Sequence, residues 1–362
     1  MRNAESRNPI DQFRYCYCDP TSHERLRWQV DCTIAEHCGR KYTIVNGVPH
    51  FLRYEPVEST EQRDQLARMN VLAKEVGWCQ AVHEIYGEGS RQARYILDES
   101  RAIYLDLLPL SSSHRALEIG ASMGQHTVHL ARRVGELFAI EVVSEQALFA
   151  AERCRQEGVA NASIACGGDD CRLPYVSNSF DFVILHLVFE WCGSRAIDIS
   201  FQEAQGTLLH KTVRVLRPGG LMYLATKNRF ALRLLKGGRD EHVAGMRFGN
   251  ALPRRLMNLG KKVSGRGHPE GILYSHKHLK RLVVHAGLRE IQSFWAIPDV
   301  RYPEAFVSSD ARSIRVARKG EQFKRAGSRF ERMILPLLPA AAVRHVMPGH
   351  VFIARKPQKQ LS

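Results

Sequence analysis

Short apolar runs alternate with amphipathic segments between residues 114 and 228. Five of these runs have the length of buried strands, namely 115–119, 137–141, 162–166, 180–185 and 221–226. Three intervening segments carry apolar residues at helical spacing, namely 127–134, 145–157 and 201–215. Strands that alternate with helices in this way form parallel sheets through crossover connections. The pattern therefore predicts an α/β fold with a doubly wound sheet.

The flanking segments follow other patterns. Residues 13–54 are rich in cysteine and aromatic residues and lack helical spacing, which predicts a small β-rich N-terminal domain. Residues 58–108 carry apolar positions at helical spacing and could form a lid over the carboxyl ends of the strands. Three later segments predict a helix at 279–286, a sixth strand at 288–297 and a seventh strand at 350–354.

About fifty residues separate the sixth and seventh predicted strands. A loop of that length without structure is unusual in a compact domain, so we expect residues 304–348 to be ordered and functional. The segment combines basic residues with the apolar run 333–338. This composition is typical of a helix that meets an anionic or lipid-linked molecule or a membrane surface, or of a solvated helix packed on a sheet edge.

Charge and composition narrow the class of protein. Of the formal net charge of +15, residues 227–362 contribute +19, with 28 Lys and Arg against nine Asp and Glu. A basic C-terminal part predicts either an anionic partner, such as nucleic acid or a membrane surface, or a solvated basic surface. The 44% hydrophobic content excludes a disordered chain. The polar N-terminus, the lack of a long apolar run and the nine cysteines predict a cytoplasmic protein without a transmembrane segment.

A glycine-containing turn follows the first predicted strand and precedes a helix. The dinucleotide fingerprint G-x-G-x-x-G is not met from Gly120 onwards, because Ser122 and Gln125 occupy two of its glycine positions. The pattern acidic-x-Gly-x-Gly-x-Gly fits better, since Glu118, Gly120 and Gly124 match it. Such glycines let the backbone approach a ligand that carries no phosphate.

Two acidic residues further along the chain also indicate a binding site for a nucleoside-containing ligand. Glu141 ends the second predicted strand, 21 residues after Gly120, where an acid can accept hydrogen bonds from both hydroxyls of a ribose. Asp169 follows the third predicted strand and precedes the Leu173-Pro174 pair at a spacing that places a carboxylate beside an adenine amino group.

These motifs, with S-F-D-x-V at 179–183 and L-R-P-G-G at 216–220, resemble the class I S-adenosylmethionine-dependent methyltransferases, in particular the methyltransferase type 11-like group. The resemblance covers about 115–228 and implies a Rossmann-like fold of seven strands with S-adenosylmethionine as cofactor. It places the cofactor against residues near the strand ends, namely Glu118, Gly120, Ala121, Gly124, Glu141, Val142, Asp169, Asp170, His186 and Leu187. A Rossmann-like domain that has lost its cofactor is the alternative.

Four cysteines lie close together in the N-terminal segment, namely Cys16, Cys18, Cys32 and Cys38. They are candidate ligands of a structural zinc ion, although their C-x-C and C-x5-C spacing differs from paired C-x-x-C knuckles. Buried structural cysteines are the alternative. Residues 38–52 resemble the tRNA methyltransferase activator subunit 112-like domain, which is zinc-ribbon-like, and Asn46-Gly47 predicts a type I′ turn. The other five cysteines are predicted to be small core residues.

Methyl transfer from a sulfonium is an in-line displacement, and a general base is needed mainly when the acceptor is a hydroxyl. The candidate bases are His186, Glu190, His276, His278 and Asp299, of which we single out His186, Glu190 and Asp299 as catalytic. The expected acceptor is a small molecule or a glycan- or lipid-linked compound. An RNA methyltransferase or RNA-binding protein that uses the basic C-terminal part is the alternative.

The resemblances and patterns together divide the chain into segments. We predict six of them: a flexible tail at 1–12, a zinc-ribbon-like activator-type domain at 13–54, a helical linker or lid at 55–110, an S-adenosylmethionine-binding domain at 111–303, a basic insertion at 304–348, and the last strand with a tail at 349–362.

Overall fold

A computed structural model describes most of the chain. The described ranges are 10–29, 34–54, 58–195, 198–243, 245–248, 252, 271–324 and 328–358. The chain divides into two compact units. The first consists of Met1–Val183 with Arg214–Arg217, and the second consists of Ile184–Val213 with Pro218–Ser362.

The first unit contains the strands that carry the predicted site. They are β5 (Arg115–Ile119), β6 (Glu136–Glu141), β7 (Ala162–Cys166) and the first half of β8 (Phe180–His186), in the order β8-β5-β6-β7. The pairs β5–β6 and β6–β7 are parallel. Two helices connect these strands, α4 (Thr127–Ala131) between β5 and β6 and α5 (Ser144–Gln156) between β6 and β7. The predicted α/β fold is confirmed.

A separate antiparallel sheet precedes this region. Its strands are β1 (Arg27–Trp28), β2 (Ile34–His37), β3 (Arg40–Val45) and β4 (Val48–Pro49), paired in chain order. Asn46 and Gly47 have φ values of 50° and 78°, as the predicted type I′ turn requires, and Val45 pairs with Val48 across it. The predicted small β-rich element is confirmed.

Aromatic packing joins the N-terminal segment to the parallel strands of the same unit. The buried ring of Phe138 on β6 meets Phe13, Tyr17 and Tyr175 at centroid distances of 5.4, 5.7 and 5.7 Å, with the rings close to perpendicular. Edge-to-face pairs of this kind stabilise a core by about 0.5–1.5 kcal/mol each beyond the area they bury. A β-bridge between Tyr17 and Tyr175 adds backbone pairing at the same place.

The helical segment of the first unit forms three helices and a 3-10 helix. These are α1 (Thr60–Val76), α2 (Trp78–Tyr86), α3 (Arg91–Leu97) and Glu99–Leu107. A capping box between Ser59 and Gln62 begins α1. The buried face of α1 packs against Phe149 of α5 and against Met123, which lies in the glycine turn. The helical segment therefore packs against the glycine turn and holds it in position.

The second unit contains the antiparallel strands. They are the end of β8, β9 (Leu216–Lys227, mostly in this unit), β10 (Arg289–Ile297), β11 (Ala305–Ser308) and β12 (Gly349–Arg355), in the order β11-β10-β12-β9-β8. The pairs β9–β12, β12–β10 and β10–β11 are antiparallel. The predicted sixth and seventh strands correspond to β10 and β12.

Within the described residues, seven helices accompany these strands, and four of them lie in the predicted insertion. They are α6 (Phe201–Val215), α7 (Leu232–Leu235), α8 (His276–His285), α9 (Ala311–Ala317), α10 (Glu321–Lys324), α11 (Arg329–Ile334) and α12 (Ala340–Val346). Ile314, Leu335 and Val343 from the insertion share one hydrophobic cluster with Trp295 and Ile297 of β10. The insertion is thus packed on the last strands. No helix among the described residues is long and apolar enough to cross a membrane.

Three details differ from the sequence prediction. Helix α4 ends at Ala131 instead of residue 134, and α8 begins at His276, three residues early, because the Ser275 side chain caps it by accepting a hydrogen bond from His278 N–H. The fifth strand is predicted to begin at residue 221, but the preceding L-R-P-G-G segment also belongs to β9. Gly219 N–H donates to the Lys356 carbonyl, so pairing with the distant C-terminal segment extends the strand.

Candidate cofactor site

The turn after β5 folds back on the end of β6. The Gly120 and Ala121 amides both donate to the Ile140 carbonyl, at 2.8 and 3.2 Å. Gly124 has a φ of 76°, and a Cβ atom there would lie 3.3 Å from the Ala150 backbone of α5. A side chain at this position would be both strained and crowded, so the glycine is required for the turn to approach α5.

Glu141 holds this turn in place. Its Oε2 accepts a hydrogen bond from Ser122 N–H at 2.8 Å, and its Oε1 accepts from the Val142 and Val143 amides at 2.8 and 3.1 Å. The side chain is only 7% exposed. A carboxylate offers about four acceptor positions, so it can bind ligand hydroxyls in addition to backbone amides.

Asp169 lies in the next loop, after β7. Its Oδ2 accepts hydrogen bonds from the backbone N–H groups of Arg53 and Tyr54, at 2.8 and 2.7 Å. Its Oδ1 is buried and has no hydrogen-bond partner among the described residues. The segment that leaves the N-terminal sheet therefore fixes the orientation of Asp169 and leaves one acceptor atom unused.

Glu118, at the end of β5, is buried and accepts a hydrogen bond from the Thr127 hydroxyl at 2.6 Å. Burial raises the pKa of Glu118 to about 8, and the negative charge of Glu141 acts in the same direction. The carboxyl group is therefore largely protonated at neutral pH, and a cationic ligand group beside it would favour ionisation.

The first unit thus brings together eight of the ten residues predicted to hold the cofactor. They lie on the turns after β5, β6 and β7, and the loop after β7 is tied to β6 by Gly167 N–H donating to the Glu141 carbonyl at 2.9 Å. Asp170 is also buried, and it is paired with Arg172 through Nε at 3.3 Å. The unused Oδ1 of Asp169 fits an amino group that donates a hydrogen bond, as adenine does.

A cavity of about 490 Å³ in the same unit includes none of these predicted residues. It lies along α5 and the turn after β3, and Asn46, Leu148 and Arg155 are among its lining residues. The acidic groups described above, and not this cavity, identify the candidate site, since they supply the polar groups that a cofactor needs.

The other two residues predicted to hold the cofactor follow β8 in the second unit. His186 is buried, its ring stacks on Tyr223, and the Tyr223 hydroxyl lies 3.4 Å from Nδ1 of His186. Leu187 adopts a left-handed conformation with a φ of 57°, and its N–H donates to the Ala225 carbonyl at 2.8 Å. A non-glycine residue in this conformation costs about 1 kcal/mol or more and is common at binding sites.

Glu190 is the predicted catalytic residue with the most developed surroundings. It is fully buried, and its Oε2 accepts a hydrogen bond from the Thr226 hydroxyl at 2.7 Å. Its Oε1 lies 4.0 Å from Nε2 of His242, and neither atom has a hydrogen-bond partner among the described residues. His242 Nδ1 is 2.7 Å from Oδ1 of Asp240.

The contact between Asp240 and His242 keeps Asp240 ionised. Burial raises the pKa of Asp240, but the hydrogen bonds and charge of His242 outweigh this and hold the pKa below its usual value. Asp240 is thus an ionised acceptor, and His242 places a hydrogen on Nδ1. With His242 neutral, two bare acceptor atoms face each other, His242 Nε2 and Glu190 Oε1. A hydrogen-bond donor between them, or a proton on one of them, would satisfy both.

The other candidate bases have structural contacts. Oδ1 of Asp299 accepts from the Arg301 and Tyr302 amides at 2.7 and 3.0 Å, which holds a turn. His276 is buried, with Nε2 3.0 Å from the Ser293 hydroxyl, and burial lowers its pKa to about 4. His276 is therefore a weak base at neutral pH.

The predicted zinc ligands are partly described. Cys16 and Cys18 are buried, Cys38 is exposed, and Cys32 lies outside the described residues. Burial raises the pKa of Cys16 to about 12, which favours a neutral thiol. The described residues contain no group of three or more metal-binding side chains, so zinc at these cysteines stays a prediction.

Of the five other cysteines, those predicted to be core residues at 154, 166 and 171 are buried. Cys192 is half-buried. Cys79 is exposed, and for this residue the core prediction is wrong, because α2 turns it away from the buried face that carries Ala81 and Val82.

Two parts of the site were not predicted from the sequence. Asp240 and His242 lie in a segment without a periodic pattern, and only the fold shows that they face Glu190. The contact of Asp169 with Arg53 and Tyr54 uses backbone amides, which carry no sequence signal.

The contacts of Glu190 predict how two substitutions at this position change the stability of the protein. In Glu190→Gln, the amide oxygen can accept from Thr226, and the amide N–H puts a donor in place of one of the two facing acceptors. We expect this variant to unfold at the wild-type temperature or slightly above it. Glu190→Ala leaves the Thr226 hydroxyl without its acceptor beside a cavity and should lose about 2–4 kcal/mol. Chemical denaturation of both variants measures the difference, and equal losses would contradict the assigned geometry.

Comparison with known proteins shows that part of this chain is similar to a protein family. Residues 117–224 match the family model of a methyltransferase domain. Over 123 residues the chain is 33% identical to the biotin biosynthesis bifunctional protein BioHC of Cellvibrio japonicus, covering 34% of this chain and 22% of that protein. Over 119 residues it is 29% identical to the methyltransferase GfsG of Streptomyces halstedii, covering 33% of this chain and 39% of that protein.

Among solved structures, phosphoethanolamine N-methyltransferase 2 of Haemonchus contortus in complex with S-adenosyl-L-methionine is similar at 17% identity and a TM-score of 0.43. The similarity covers 80% of this chain and 60% of that chain. The chain spans less than half the length of the two curated relatives. The stretch that matches the family model, residues 117–224, includes Glu118, Glu141, Asp169 and Glu190.

Proposed function

We propose that this chain is an S-adenosylmethionine-dependent methyltransferase. The observation that carries the proposal is the convergence of three buried acids at the ends of three neighbouring strands, within a stretch that matches a methyltransferase domain. One of them, Asp169, keeps an unused buried acceptor atom. A cofactor with a cationic amino acid part, a ribose and an adenine has a matching group for each acid.

Each acid then has a separate role in binding. Glu118 and the turn from Gly120 to Gly124 meet the amino acid part of the cofactor, Glu141 accepts from the ribose hydroxyls, and Asp169 Oδ1 accepts from the adenine amino group. The bound cofactor supplies an activated methyl group on a sulfonium. The protein contributes mainly orientation, because an in-line displacement needs the acceptor atom held close to the methyl carbon.

Glu190 and His242 are the proposed proton acceptors for the methyl acceptor. An O–H or N–H group placed beside the two facing acceptor atoms could donate its hydrogen to either of them, and the hydrogen bond from Nδ1 to Asp240 would stabilise a proton on His242. The proposed acceptor is a small molecule or a glycan- or lipid-linked compound with such a group. Both side chains are fully buried, so the acceptor group must enter an enclosed polar space.

The N-terminal segment 13–54 is proposed to act as a built-in support for the cofactor site, in the manner of an activator domain. The support comes from the backbone contacts of Arg53 and Tyr54 with Asp169 and from the parallel bridge between His50 and Cys166. The remaining segments, at 55–110, 111–303, 304–348 and 349–362, are proposed as a helical linker, the cofactor domain, a basic insertion and the last strand.

A thermal shift measurement tests the cofactor class. S-adenosylhomocysteine, the product form of the cofactor, should raise the unfolding temperature of the full chain in a saturable way, because a ligand that binds only the folded state stabilises it. NAD⁺ at the same concentrations is the matched control, since the turn lacks the glycines that hold a pyrophosphate. A shift with NAD⁺ and none with S-adenosylhomocysteine would refute the proposal.

The raised pKa of Glu118 makes a prediction about pH. Its folded pKa of about 8 lies above the ordinary value of 4.5, so folding favours the protonated form. The free energy of unfolding should therefore fall as the pH rises between about 4.5 and 8. From pH 6 to pH 9 we expect the wild type to lose about 2 kcal/mol relative to Glu118→Gln, which cannot titrate. Denaturation of both proteins at the two pH values measures this, and parallel pH profiles would contradict a buried titrating Glu118.

A further inference from the structure

A groove in the second unit lies between helices α8 and α12. It has a volume of about 690 Å³, and its lining includes Lys277, Lys280, Arg281, His285, Arg344 and His345. Four of these side chains carry a full positive charge. On α8, the cations recur at positions that share one face of the helix, opposite the buried Leu279 and Val283.

The charges of this groove are not neutralised. The lining contains no Asp or Glu, and none of its Lys and Arg side chains forms an ion pair within the part of the chain that the structure describes. The Nε atom of Arg344 is buried and has no hydrogen-bond partner among those residues.

A second cavity continues from the groove and offers neutral donors. It has a volume of about 510 Å³, shares Lys280 and Arg344 with the groove, and is also lined by Ser293, Ser308 and Ser309. The one acid in its lining, Asp310, is engaged at the start of α9, where Oδ1 accepts from the Arg312 and Ser313 amides at 2.9 Å.

The lowered pKa values of His276 and His345 agree with an excess of positive charge in the groove. Burial, together with the nearby His345, Arg344 and Lys280, lowers the pKa of His276 to about 4. For His345, burial and the cations Arg344 and Lys277 likewise lower the pKa. No carboxylate raises either value. An anion placed here would meet a positive field that the described residues leave uncompensated.

We infer that this groove binds a small molecule that carries a diphosphate group. Lysine, arginine and serine are the side chains that commonly bind phosphoryl oxygens, and four cations match the two to three negative charges of a diphosphate. The volume of the groove is that of a small-ligand site. A nucleic acid strand fits less well, since the lining of the two cavities contains no Trp or Tyr and only one Phe, Phe294, for base stacking.

The inference goes beyond the proposed methyl transfer and does not depend on it. None of the groove residues is among those proposed to hold the cofactor or to accept a proton. The diphosphate could belong to a soluble compound or to the headgroup of a lipid, and the chemistry of the groove is the same for both.

Calorimetric titration of the full chain tests the inference. The probes are inorganic pyrophosphate, ADP, and vesicles of phosphatidylcholine with phosphatidic acid, each at low and moderate salt. We expect saturable binding of pyrophosphate and ADP that weakens as salt screens the charges. Lys280→Gln/Arg344→Gln should weaken it at least tenfold. Arg315→Gln/Lys319→Gln is the matched control, because it also removes one Arg and one Lys, from α9 and the turn after it, outside both cavities, and should change the affinity less than twofold.

Three results would overturn the inference. The first is the absence of pyrophosphate and ADP binding up to millimolar concentrations in a folded wild type. The second is equal weakening in the groove variant and the control variant, which would mean non-specific surface charge. The third is binding of the vesicles alone, which would assign the groove to a membrane surface. Thermal unfolding of each variant checks that the fold is retained, and cofactor binding, measured separately, reports on the methyltransferase proposal.

Discussion

Replacing Glu141 with alanine is expected to lower the affinity for S-adenosylhomocysteine by about 100-fold. Hydrogen bonds to a charged group contribute about 1.5–3 kcal/mol each, and the proposed ribose contacts use two of them. The variant also removes the acceptor of Ser122 N–H, so the turn after β5 loses its tie to β6. A net loss near 3 kcal/mol corresponds to about two powers of ten in the dissociation constant.

Glu136→Ala is the control for this experiment. Glu136 lies at the opposite end of the same strand, where it pairs with Arg115 and accepts a hydrogen bond from Tyr15. Calorimetry with S-adenosylhomocysteine should give less than a twofold change in its affinity. An unchanged affinity in folded Glu141→Ala would place the ribose elsewhere.

Two substitutions of Asp169 should separate its two roles. Asp169→Asn can still accept the Arg53 and Tyr54 amides through its oxygen, but it presents an amide N–H where Oδ1 stood, so a donor meets a donor. We expect near wild-type stability and about a 30-fold loss of cofactor affinity, equivalent to about 2 kcal/mol.

Asp169→Ala removes both roles at once. It should show a similar loss of affinity and, in addition, a loss of about 1–3 kcal/mol in the free energy of unfolding, because two amides lose their acceptor. Chemical denaturation and calorimetry of both variants measure the two effects. Equal stability in the two variants would contradict the contact between the N-terminal segment and Asp169.

The strand and helix bounds in the parallel region were largely readable from the sequence. Strands β5 and β7 and helix α6 have the predicted bounds, at 115–119, 162–166 and 201–215. Their residues are buried or amphipathic over their whole length, so local pattern and final environment agree. The acids at 118, 141 and 169 were found for a related reason, since they directly end or follow such strands.

Features that depend on distant pairing could not be read in this way. The L-R-P-G-G segment has the composition of a turn, and it is a strand because β12 pairs with β9 more than 120 residues later in the chain. The Glu190–His242 pair joins two segments about fifty residues apart, and neither has a spacing that indicates the other. Side chains and amides that meet only through tertiary packing leave no local signal.

The N-terminal segment contains one feature with a local sequence signal and one that depends on a distant contact. Its Asn46-Gly47 turn follows from the conformational preference of two neighbouring residues and has the predicted conformation. Its contact with Asp169 depends on where the chain runs after β4, and it is made by the backbone N–H groups of Arg53 and Tyr54. A sequence pattern could not distinguish this support from a linker.

The central claim is that this chain binds S-adenosylmethionine at the ends of β5, β6 and β7. Isothermal titration of the full wild-type chain with S-adenosylmethionine tests it most directly, with Glu141→Ala titrated alongside. We predict saturable binding at about one molecule per chain in the wild type, and binding about 100-fold weaker in the variant. A folded wild-type chain that shows no saturable heat with S-adenosylmethionine, or equal binding by both proteins, would contradict binding at these strand ends.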